Sequence, residues 1–141
     1  MVNGLPDPSC TPGAVSRLVT QNNIQSTICT KGFTKKIRPS YSYTNALKRE
    51  QLMAYGFDGP TSDYEEDHLI PLELGGDPVS PANFWPEPLK PWPGALDKDH
   101  VENYLKVKVC DGTIPLSKAQ AIIATNWIRI YQAVGPAIVN Y

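Results

Sequence analysis

The sequence predicts a single α+β domain made of short elements joined by much irregular backbone. Three observations lead there. The chain has 141 residues, enough for one compact domain with one modest core. Fourteen prolines and ten glycines are spread along it and break regular structure into short pieces. Two brief stretches with strand character, one ending at Asp67-His68 and one at Asn83-Phe84-Trp85-Pro86, are flanked by segments of helical pattern.

Residues 1–43 read as an irregular arm. Leu5-Pro6-Asp7-Pro8 and Thr11-Pro12-Gly13 are turn signals, and Ile24 to Cys29 suits a short strand or a turn. Lys31, Lys35, Lys36 and Arg38 form a basic cluster; Lys35, Lys36 and Arg38 are candidates for phosphate contact, set against an ordinary solvated surface. Thr44 suits the N-cap of a helix over Asn45 to Tyr55, with Ala46, Leu47, Met53 and Ala54 available for burial and Gly56 at its end.

Asp97 suits the cap of a second helix reaching about Cys110, which Asp111-Gly112 ends. Its stripe of Val101, Tyr104, Leu105 and Lys108 puts Asp97 and Lys98 near the same face. His100 and Glu102 then flank that face on opposite sides, and Asp99 points away. Ser117 with Gln120 makes a capping box for a third helix, roughly Lys118 to Tyr131. Ala121, Ile122, Ala124, Ile128 and Tyr131 are its candidate core, with Trp127 partly buried. No repeat, low-complexity segment or domain boundary interrupts residues 1–141.

Formal net charge is −1, so bulk charge does not favour nucleic acid, and any phosphate contact must come from a local cluster. No apolar run approaches the roughly 18 residues that span a bilayer. Met1-Val2-Asn3-Gly4 has no signal-peptide pattern, which fits a cytosolic protein or a mature domain with a new start methionine. Cys10, Cys29 and Cys110 match no zinc-ribbon spacing; one disulfide with one free thiol is favoured over three reduced thiols, its pairing open.

The chemistry concentrates in Asp67-His68-Leu69-Ile70-Pro71-Leu72, with Gly75-Gly76 after it and Asn83 fifteen residues beyond His68. Cleaving a phosphodiester needs an activated water and relief of phosphate charge, which a divalent ion can supply. A neutral histidine can take the proton near neutral pH if its other ring nitrogen has a fixed partner. On a regular strand Asp67 and His68 point to opposite faces, so both serve one site only if the strand bends or ends there. Trp85 and Trp92 suit packing better than base stacking, and Glu73 suits a surface position.

These residues, with Asn83-Phe84-Trp85-Pro86, resemble the HNH endonuclease motif over about residues 64–106. More loosely the whole chain resembles a group of small, mostly bacterial, often exported HNH-like proteins. The further features are Pro6-Asp7-Pro8-Ser9-Cys10-Thr11-Pro12-Gly13, Thr27-Ile28-Cys29, Asn83 through Pro88 and Lys98-Asp99. The resemblance implies a ββα-metal finger supported by a C-terminal helix at 117–131, and a secreted location. It implies that Asp67 ligates the metal, that His68 is the general base, and that Asn83 holds the loop and orients His68 or faces the metal. For the third position His100 and Lys98 are equal candidates and Glu102 follows; Lys98 would place a fixed positive charge beside the phosphate, and Glu102 would bind metal or pair with it. The implied activity is metal-dependent endonuclease cleavage of DNA, or RNA, by a monomer. Mg or Mn suits oxygen ligands, and Zn or Ni a second histidine. A secreted toxin with an inhibitor protein is one variant. The alternative is a non-catalytic module that binds metal, nucleic acid or protein through the same finger.

Overall fold

The computed structural model describes residues 4–141; Met1–Asn3, the start of the expected arm, lie outside them. Strand β1 (Tyr64–His68) pairs antiparallel with β2 (Phe84–Pro88), Asp67 opposite Trp85 and His68 opposite Phe84. Four α-helices accompany this hairpin among the described residues: α1 (Phe33–Ile37), α2 (Tyr41–Tyr55), α3 (Ala95–Cys110) and α4 (Leu116–Val134). The class is α+β, as expected.

The arm is less irregular than its composition suggests. It contains a 3-10 helix, Gln21–Ser26, and α1. Helix α2 begins inside the stretch assigned to the arm: Tyr43 N donates to Ser40 Oγ at 3.3 Å, so Ser40 is the cap and Thr44 is not. The Thr44 hydroxyl turns back onto the Ser40 and Tyr41 carbonyls. Gly56 ends the helix with φ 66°, as its place in the sequence predicts. Leu47 and Leu52 are the residues α2 buries; Ala46, Met53 and Ala54 face solvent, because Met53 stands 100° round the helix from Leu52.

Helix α3 starts two residues before Asp97. Asp97 sits in its first turn, where Oδ2 accepts from Gly94 N at 2.8 Å and Oδ1 accepts from the Tyr131 hydroxyl at 2.9 Å, so one carboxylate caps α3 and ties it to α4. Helix α4 follows Pro115 rather than a Ser117 capping box. Gln120 reaches across to donate to Leu74 O at 2.8 Å instead. The stripe α4 buries is Leu116, Ala119, Ile123 and Trp127, one residue out of phase with the expected one. Ala121 is exposed, Ile122, Ala124, Ile128 and Tyr131 are half-buried, and Trp127 is fully buried. The helix is interrupted at Asn126 (φ −165°, ψ 83°).

The core forms where α3 and α4 pack together. Val101, Leu105 and Val109 meet Ile123 and Trp127, and the arm adds Ile24 and Ile28. Each such buried side chain contributes about 1.5–3 kcal/mol. A Cys29–Cys110 disulfide closes the arm onto the end of α3, and Cys10 is a free, exposed thiol. The hairpin lies on α2. It meets α3 chiefly through one buried side chain, Lys98, and that contact defines the site.

Candidate functional site at the end of the hairpin

The loop between the strands is built on Asn83. Its Oδ1 accepts from Ile70 N at 3.0 Å and Ala14 N at 3.3 Å, and its Nδ2 donates to Ile70 O at 2.9 Å and Asp77 O at 3.1 Å. Asn83 is fully buried in a 3-10 turn, Pro81–Asn83, just before β2. Gly76 lets the loop fold this tightly, since a Cβ there would stand 1.7 Å from Ile70 O. Asn83 thus ties the loop together.

The loop carries Pro78 O to 3.0 Å from His68 Nε2. A carbonyl only accepts, so Nε2 bears the proton and neutral His68 has its lone pair on Nδ1. The imidazole rests against the Phe84 ring, centroids 4.0 Å apart. Burial lowers the His68 pKa below its ordinary 6.5, helped by the Arg38 and Lys98 charges and opposed by Pro78 O and Asp67. The ring is therefore neutral at pH 7.

His68 is the last residue of β1, and Asp67 leaves the strand on the other side, toward α3. There the Lys98 ammonium lies 2.7 Å from Asp67 Oδ2, 2.6 Å from Glu102 Oε1 and 2.9 Å from His68 O. Lys98 is 0% exposed. Burial alone would drive its pKa down, but Asp67, Glu102 and Glu87 outweigh that and hold it charged. Burial pushes Glu102 up to about 8 against the pull of Lys98. Glu87 enters from β2 with both carboxylate oxygens buried and without a hydrogen-bond partner; burial first, then Asp67, raises it well above the carboxylate range.

A rim of half-buried acids surrounds this core. Glu65, Glu73 and Asp99 are each pushed up, chiefly by burial, and Asp67 adds to the effect at Glu65 and Asp99. Asp99 and Glu73 are both half-buried, so Glu73 is more enclosed than a surface residue. Arg38, just after α1, is the member of the basic cluster whose charge acts on His68, Glu73 and Asp99; Lys35 and Lys36 are exposed in the last turn of α1. His100 stands about 200° round α3 from Lys98, with its Nδ1 buried and unpartnered, so Lys98 is the residue that reaches Asp67, and Glu102 joins it through Lys98. Trp85 is fully buried, as packing predicts; Trp92 is exposed and donates to the Tyr131 hydroxyl at 3.1 Å.

Glu87 escaped the sequence reading. Its signal was that of a lone acid within Phe84-Trp85-Pro86-Glu87-Pro88, where the strand pairing sets it across from Glu65.

Comparison with protein-family models, with curated proteins and with solved structures finds no match to this chain. The residues present also do not fit a resident divalent ion between Asp67 and α3 in this arrangement. The oxygens that would ligate it are taken by Lys98 Nζ, and no group of three or more His, Cys, Asp or Glu among the described residues is arranged to hold a metal.

Proposed function

We propose that this chain is an HNH-type phosphodiester hydrolase acting on DNA, with RNA the second candidate substrate, and that His68 is its general base. The observation that carries the reading is the imidazole at the end of β1. Its Nε2 is pinned to a carbonyl of the Asn83-organised loop, and its Nδ1 has no protein hydrogen-bond partner among the described residues. A base needs that combination of one fixed nitrogen and one free.

In this reading Nδ1 takes a proton from water as the water oxygen attacks phosphorus. The bond to the leaving ester oxygen breaks, and that oxygen takes a proton. Solvent water supplies that proton. Arg38 is exposed and offers a planar donor set to the phosphate. The Cys29–Cys110 disulfide supports an oxidising, extracellular setting.

Plasmid cleavage by purified protein tests the proposal. His68→Ala should lower the rate by at least about 100-fold while leaving the thermal transition intact. Because burial lowers His68, the rate should rise with pH along a limb whose midpoint lies below 6.5 and then level off. Full activity in His68→Ala would remove it as the base. A second reading, a binding module that does not cut, draws on Lys98: its charge is buried and paired inside the protein rather than offered to a phosphate. Duplex binding without cleavage in any buffer would favour it.

A further inference from the structure

We infer that the Lys98 ammonium is this chain's resident cation, seated among the oxygens of Asp67, Glu102 and His68 where a divalent ion would otherwise lie, so that the hairpin–helix site holds no metal of its own. Lys98 Nζ hydrogen-bonds Glu102 Oε1 at 2.6 Å and His68 O at 2.9 Å and makes an ion pair with Asp67 Oδ2 at 2.7 Å. It is fully enclosed. A doubly charged ion entering between Asp67 and Glu102 would lie against a fixed positive charge in a buried, weakly screened place.

Asp67, Glu102 and Glu87 surround the one ammonium. The i,i+4 spacing of Lys98 and Glu102 puts both on the inner face of α3 beside Val101 and Leu105, so the cation is delivered by the helix itself. Removing it would leave a space beside Asp67, Glu102 and the His68 carbonyl, oxygen atoms of the kind a hard divalent ion takes.

The inference concerns the cation and not the substrate, so metal binding tests it and cleavage does not. Chelator-stripped full-length protein, disulfide intact, is titrated with Mn²⁺ by calorimetry and by thermal melting. Asp67→Asn is the control that identifies binding at this site. Wild type should show no Asp67-dependent binding and no shift in melting temperature. Lys98→Ala should take up one Mn²⁺ and melt at a higher temperature with Mn²⁺ than without. Asp67-dependent binding by wild type would overturn the inference, and so would a folded Lys98→Ala that also fails to bind. If Lys98→Ala does not fold, the wild-type titration against Asp67→Asn decides alone. A wild-type protein that binds no metal yet cuts, or binds metal yet does not cut, separates this inference from the proposed activity.

Discussion

Glu66 shows what a single buried carboxyl next to Asp67 contributes. It lies between Glu65 and Asp67 on β1, and both its carboxylate oxygens are buried without a hydrogen-bond partner. Burial, with Asp67 adding and Lys48 opposing, pushes it up to about 8. A carboxyl whose folded pKa is raised binds its proton more tightly in the folded chain. Its contribution is complete below the unfolded value of 4.5 and is lost as pH rises through about 8. The melting temperature should fall across that window, and Glu66→Gln should flatten the fall, with a gain on the order of 1 kcal/mol at pH 8. Glu102, also held near 8, keeps part of the slope. A pH–stability curve identical in wild type and Glu66→Gln would show that Glu66 titrates normally. At this scale the sequence was informative about identity and poor about environment. Asp67, His68, Asn83 and Lys98 stand out by type and spacing, but their burial depends on what packs over them.

At the scale of elements, the loop between β1 and β2 does the positioning. Asn83 satisfies backbone groups of Ala14, Ile70 and Asp77 at once, and Gly76 lets the chain approach Ile70 O. Asn83→Ala would strand those groups in a buried place, at a cost of about 3 kcal/mol. It would also free Pro78 O from its station beside His68. Urea melts measure the first effect, and His68 ring chemical shifts in NMR spectra should report the second; a loss under about 1 kcal/mol would mean that water replaces the amide. Gly56 at the end of α2 and Asp111-Gly112 at the end of α3 fall where their types predict, because a cap depends on a few neighbouring residues. The starts of α2, α3 and α4 do not. Ser40 and Gly94 compete with Thr44 and Asp97 as caps, and Gln120 finds a better partner in Leu74 than in its own helix end.

Over the whole molecule, the disulfide and the arm decide what meets at the site. Cys29 and Cys110 are 81 residues apart and join the arm to the end of α3. Closing so long a loop restricts the unfolded chain, and the Cys29→Ser, Cys110→Ser pair should lower stability by about 4 kcal/mol. Denaturant titration of oxidised and reduced protein checks this, and equal midpoints would show that the bond adds nothing. The same arm brings Arg38 within electrostatic reach of His68 and Asp99, so reduction should also weaken any phosphate contact. The α+β class, the short hairpin, the turn at Gly75-Gly76 and the central Asp-His-Asn set were legible in the chain because they rest on local patterns of two to four residues or on one loop length. Which cysteines pair, which stripe of α4 is buried, that Glu87 stands beside Asp67, and that Lys98 fills the space between strand and helix were settled only by packing. Each depends on segments far apart in sequence meeting in one low-dielectric interior, where burial, and not residue type, sets which charges persist and which partners they take.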